Sequence, residues 1–93
     1  MSGYDDIATT IISGQMAVVG PLAVTMASNI AGLTVDSRGN ATVSGGDPAG
    51  VVEQLVKVYS SLTGALGIRM CHQSAMPALK RNPDITIPIF ENL

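Results

Sequence analysis

Apolar residues in this chain fall into long runs separated by short polar joints. The longest run is uncharged throughout, from Ile7 to Val35. Within it Ile7, Ile11, Ile12, Met16 and Val19 recur at helical spacing. Asp5 and Asp6 precede them, and acidic residues suit the positive end of a helix. Gly20-Pro21 breaks or kinks the path, because proline removes a helix hydrogen bond. Leu22 to Ala31 resumes a helix that places Ala23, Ala27 and Ala31 on one stripe. Such a stripe permits close approach of another element. Gly32 then supplies a stop in the left-handed conformation.

The period changes after Gly32. Leu33–Asp36 and Ala41–Ser44 are β-prone runs around Ser37-Arg38-Gly39-Asn40, which predicts a hairpin over 33–44 with Gly39 at positive φ. Gly45-Gly46 forms a hinge. Asp47-Pro48 reads as a helix start, with Asp as N-cap and Pro in the first turn. The helix expected over 48–65 is amphipathic. Val51, Leu55, Val58 and Leu62 form one stripe, and Val52, Val56 and Tyr59 the adjoining one. Glu53 and Lys57 stand four apart on its polar side. Gly64 and Gly67 are expected to end it.

Beyond Gly67 the period is mixed. Ile68 to His72 alternates like a strand, whereas Gln73 to Arg81 suits a short helix kinked near Pro77, so 68–81 is open between strand and helix. Asn82-Pro83-Asp84 is a turn. Ile85, Ile87 and Ile89 alternate with Thr86 and Pro88, which predicts a C-terminal strand over 84–90, confined by its proline to a sheet edge. The sum is one small α+β domain over 1–93: a broken apolar helix over 7–31, a hairpin, an amphipathic helix and a C-terminal edge strand. The hairpin-then-helix order from Ile30 to Leu66 resembles the start of a Roadblock/LC7 domain. It carries no motif specific to that family, and no family is assigned on it.

Composition changes this picture in one respect. Apolar residues make up 46% of the chain and charged residues 13%, half the usual share of about 25%. Mean hydropathy is +0.36. With no Trp, one Phe and two Tyr, the core is built from small side chains that each bury little area. An excess of apolar surface over what one small domain hides is therefore expected, and self-association is its simplest destination. The surfaces expected to take part are the Ala23, Ala27, Ala31 stripe and the Ile85, Ile87, Ile89 strand. The tail has two roles to choose from, closing the chain's own sheet or adding a strand to a second subunit.

Several function classes recede. Net charge is −2, and the five basic residues are scattered apart from Lys80-Arg81, which leaves no nucleic-acid footprint. Two acidic residues open the chain where a secretory signal carries basic ones. Residues 7–31 are long enough to cross a bilayer. Gly20-Pro21, Gln15 and Asn29 oppose that, as does the lack of an aromatic belt or basic flank. One cysteine fits a reducing compartment.

The chemistry-bearing residues are few. Cys71-His72 is the one place where two reactive side chains adjoin. Neighbours in sequence diverge on a strand or a helix, and no third group is placed to orient them. One Cys and one His also fall short of four zinc ligands. Ser44-Gly45-Gly46-Asp47-Pro48 precedes a helix N-terminus but lacks phosphate-loop spacing and a following Lys. The carboxylates form no pair that sequence can place in one cleft, and Arg69 stands alone in its run. No catalytic, cofactor or metal residue is therefore expected. The expectation is a cytoplasmic, non-enzymatic, obligate homo-oligomer, most simply a dimer, that mediates protein–protein contacts in a structural or regulatory role. The alternatives are a membrane-associated subunit anchored through 7–31 and a module for a small apolar ligand.

Overall fold

A computed structural model of the protein describes residues 2–91; residues 1, 92 and 93 of the predicted domain lie outside the described residues. The elements are α1 (Gly3–Val19), α2 (Leu22–Ser28), β1 (Leu33–Val35), β2 (Ala41–Val43), α3 (Pro48–Thr63) and α4 (Ala65–Arg81), followed by a 3₁₀ turn over Pro88–Phe90. The fold is α+β, a helical cluster with one antiparallel hairpin.

Helix α1 starts on a capping box. The Ser2 hydroxyl accepts from the Asp5 amide at 3.1 Å, and the Asp5 carboxylate accepts from the Ser2 amide at 3.3 Å. The helix packs on α2, α3, α4 and β2, which makes it the hub of the domain. Its fully buried Ile7, Ala8, Ile11 and Ile12 join Leu55, Val56, Tyr59, Cys71 and Ala75 in one core. Two glycine elbows turn the chain. Gly20 (φ 67°) lies between α1 and α2, and Gly64 (φ 69°) between α3 and α4. That φ would strain any residue with a Cβ.

The hairpin pairs Leu33 with Val43 and Val35 with Ala41, so all four side chains share one face. Leu33 and Ala41 are buried against the helices, while Thr34 and Thr42 face outward. Gly39 has the expected positive φ, 88°. Asp36 ties the loop by accepting from the Arg38 and Asn40 amides at 2.9 and 3.0 Å. The Asp47 N-cap is also present, its carboxylate accepting from the Gly50 amide at 3.1 Å.

Three expectations need correction, and one open choice, strand or helix over 68–81, is settled. The helix after Gly20-Pro21 stops at Ser28, short of Ala31, and turns lead from there into β1. Gly67 does not end a helix; it is buried inside α4. Residues 65–81 form one helix with no strand, and Pro77 is accommodated at an exposed position within it.

The third concerns the tail, where no strand forms over 84–90. Residues 85–87 are extended but unpaired, and Pro88–Phe90 coils into the 3₁₀ turn. The physical reason lies in the sheet edge it would need. On β2 the outward amides of Ala41 and Val43 already donate to Thr9 Oγ1 at 2.9 Å and Asp5 Oδ1 at 2.6 Å. Pro88 has no amide hydrogen to offer. The tail is held by side chains instead, with Ile87 and Phe90 buried in the core.

The folded chain exposes 4933 Å², close to the roughly 5,000 Å² that size scaling gives for a compact monomer of this mass. One chain therefore hides its main core without help. No helix is long and apolar enough to cross a membrane among the described residues.

Candidate functional site

Cys71 and His72 sit on α4 and do not meet. Cys71 is fully buried, and its sulfur accepts from Gln15 Nε2 at 3.8 Å across the α1–α4 interface. Burial pushes the thiol up to about 11, which leaves almost no thiolate near neutrality. The His72 ring points elsewhere, packing on Phe90 with centroids 5.0 Å apart. Gln15, buried at 1% exposure, was not singled out by sequence as a core residue. Its signal was its i, i+4 relation to Ile11 and Val19.

Tyr59 is the largest fully buried side chain, and its hydroxyl donates to the Ala23 carbonyl at 2.7 Å. This bond pins α3 to α2. Desolvation raises the phenol far above its usual range, with a further contribution from nearby Cys71. It is a structural donor, not an accessible acid.

The carboxylates are also engaged in structure. Asp6 takes a bidentate pair from Arg81, at 2.7 and 2.9 Å, and accepts from Asn82 Nδ2 at 3.1 Å. These bonds hold its carboxyl below the usual range, the Arg81 hydrogen bond most of all. They tie the start of α1 to the end of α4. Asp36 is held low by the hydrogen bonds it takes from Asn40, and Asp47 occupies the start of α3 that an anion would need. No group of three potential ligands able to hold a metal ion exists among the described residues.

The six residues expected at an interface are dispersed. Ala23 and Ala27 are fully buried, and Ile87 is 2% exposed. Ile85 and Ile89 are half-buried against the same core. Only Ala31 is exposed. Ala23 and Ala27 let α2 approach α1 and α3 closely within the chain, and only Ala31, beyond the end of α2, lies at the surface. A charge at Ala27 would disrupt the core whatever the assembly state.

Exposed apolar residues lie elsewhere. Met76, in the second half of α4, is 38% exposed, and Val18, Leu22, Leu62 and Leu66 are 54, 48, 53 and 62% exposed. The last four flank the two glycine elbows, and the elbows lie at one end of the molecule. Tyr59 near the end of α3 reaches Ala23 near the start of α2, and Gln15 near the end of α1 reaches Cys71 near the start of α4. The two turns carry no charge, from Val18 to Leu22 and from Leu62 to Leu66, and the exposed cations Lys57 and Arg69 lie just beyond them.

Beside this end runs an open groove of about 450 Å³ between α2 and α3, lined by Met26, Asn29, Ile30, Ala31, Gln54 and Val58. Sequence did not single out Leu22, Leu66 or Gln54, and used Asn29 only as an argument against a membrane span. The available signal was the width of the α3 apolar arc. The core takes Val52, Leu55, Val56 and Tyr59, which leaves Val58 half-buried and Leu62 outside.

No family model matches this chain, and comparison with curated proteins and with solved structures gives no match.

Proposed function

We propose that this protein is a non-catalytic contact module that associates with itself, most simply as a dimer, in a structural or regulatory role. The observation that carries the reading is the elbow end with its four exposed aliphatic side chains. Single exposed apolar residues are ordinary, but several at one end of a small domain mark an interaction surface. The core closes within one chain, so association joins folded chains and is not required for folding. The engagement of the thiol, phenol and bound carboxylates in structural hydrogen bonds supports a non-enzymatic role. A single unpaired cysteine suits a reducing compartment, and the cytoplasm is the proposed location.

Sedimentation velocity across a wide concentration range tests the reading. The expected result is a mass that rises from one chain to two, with an unchanged far-UV spectrum. A single-chain mass at every concentration would refute self-association. Copurification of an apolar small molecule, seen by native mass spectrometry, would favour a ligand-binding module instead.

A further inference from the structure

We infer that the elbow end docks on the surface of an anionic lipid bilayer, with its four exposed aliphatic side chains at the acyl boundary and its cations among the headgroups. This goes beyond self-association. The bilayer and a second copy are alternative occupants of one end, and each is testable without the other.

The first argument is where the charges lie. The chain carries a net charge of −2, yet its elbow half is not acidic. The stretches of the four helices nearest the elbows, 12–19, 22–28, 56–63 and 65–72, hold two charged residues, Lys57 and Arg69, both positive and both exposed. The hairpin tip reaches this half too, because Gly39 packs against Met16 of α1. It adds the exposed Arg38 and one carboxylate, Asp36, which accepts from the loop amides of Arg38 and Asn40. The other carboxylates lie at the opposite end or in the tail. Asp5 and Asp6 start α1, Asp47 and Glu53 belong to the start and first half of α3, and Asp84 and Glu91 follow α4. The Asp6–Arg81 pair places the start of α1 beside the end of α4, away from the elbows. A net positive elbow half and a net negative remainder turn the elbow end toward an anionic surface. Aliphatic tips backed by cations, with the carboxylates withdrawn, match an anionic amphiphile.

The second argument is depth. Val18 and Leu22 each stand two residues from Gly20, and Leu62 and Leu66 two residues from Gly64. Arg69 lies five residues after Gly64 and Lys57 seven before it, at most about 8 and 11 Å behind the elbow at the helical rise. Apolar faces of interfacial elements sink about 5–10 Å into the headgroup–acyl boundary. With the tips at that depth, the long stems of Lys57 and Arg69 carry their charges to the headgroups. Glu53, at most about 17 Å behind the same elbow, stays in water. Helices α2 and α4 start at the elbows without a side-chain cap, so their first amides need hydration and the end stops at the boundary.

The third argument is the kind of surface. The four aliphatic side chains come from two turns, not from the walls of a cleft. A peptide would seat in the neighbouring α2–α3 groove, whose lining includes no cation. Protruding tips suit a lipid surface, and the cytoplasmic leaflet is the anionic one, in keeping with the proposed location.

Sedimentation of the full chain with lipid vesicles tests this. Retention is expected on mixed phosphatidylcholine–phosphatidylserine vesicles at low salt, with release at high salt and at least roughly tenfold weaker retention on pure phosphatidylcholine. Lys57→Gln and Arg69→Gln should each weaken retention about fivefold. Lys80→Gln makes the same change in net charge at the far end and should retain as wild type. The double variant Leu62→Ser with Leu66→Ser should weaken retention at least roughly tenfold. All these positions are exposed, and circular dichroism checks that each variant is folded.

Equal retention on pure phosphatidylcholine would overturn the anionic preference, and equal losses in Lys80→Gln and Arg69→Gln would overturn the elbow end as the docking surface. An unchanged leucine variant would overturn insertion of the tips. No retention on mixed vesicles would overturn the inference whole and leave this end to a protein partner. A chain that dimerises but ignores vesicles refutes this inference alone; one that binds vesicles but never dimerises refutes only self-association.

Discussion

Gly67 separates two accounts of how α3 and α4 meet. If it were an uncrowded position inside α4, replacing it with alanine would be neutral or mildly stabilising. The structure gives a different expectation. A Cβ at this position would stand 2.9 Å from the Ser60 Cα and closer still to the Thr63 hydroxyl, whereas comfortable carbon contacts lie at about 3.5–4.0 Å. The Thr63 rotamer can yield; the Ser60 backbone cannot, because it is part of α3. Helix propensity favours alanine by at most about 1 kcal/mol. Overpacking of a close contact costs about 1–3 kcal/mol. The clash is with backbone, which puts the cost toward the upper part of that range, and Gly67→Ala should destabilise by roughly 1–2 kcal/mol, which lowers Tm by about 4–16 °C for a domain of this length. Thermal unfolding followed by circular dichroism reads this directly. The double variant Thr63→Ala with Gly67→Ala should recover only part of the loss. An unchanged or raised Tm for Gly67→Ala, or full recovery in the double variant, would refute a backbone-limited contact at this site.

Two further outcomes follow from the buried and paired groups. Cys71 should resist a thiol reagent such as Ellman's at pH 8 in the native protein and react fully in denaturant; rapid native labelling would contradict its burial. Asp6 has a depressed pKa in the folded state, so its contribution to stability is present above the unfolded carboxyl value of about 4 and lost as pH falls through the lower folded value. Asp6→Asn should therefore be less stable than wild type near neutrality, with the difference closing in acid. Because Arg81 is 55% exposed, the difference should be small and shrink with salt. A gap that widens in acid would reverse the assignment.

The sequence was legible where single residues act locally. Asp47-Pro48 starts α3, the Gly20-Pro21 break lies between α1 and α2, and Ser37 to Asn40 turns the hairpin. Helix α4 was not legible because its buried face is Gly67, Cys71, Ala75 and Ala78. Those positions have helical spacing, but small side chains give little hydropathy contrast, and Ile68, Met70 and His72 imitate a strand. The tail misled for a different reason. Its alternation is real, but a strand needs a free edge, and Asp5 and Thr9 from α1 already take the amides of β2. That competition joins residues more than thirty positions apart and leaves no local mark.

The uncharged run shows the same limit at a larger scale. A charge is excluded equally from a core within one chain and from an interface between two. The run from Ile7 to Val35 contains both environments. Ile7, Ile11, Ile12, Ala23 and Ala27 are fully buried, while Val18 and Leu22 are about half exposed. Sequence periodicity cannot separate these, because all lie in apolar helical stretches. The separation comes from how many apolar rows the neighbouring helices can cover. Helices α1, α2 and α4 all pack on α3, where Val52, Leu55, Val56 and Tyr59 are buried. Along the row through Val58 and Leu62 that cover runs out, leaving Val58 half-buried and Leu62 53% exposed.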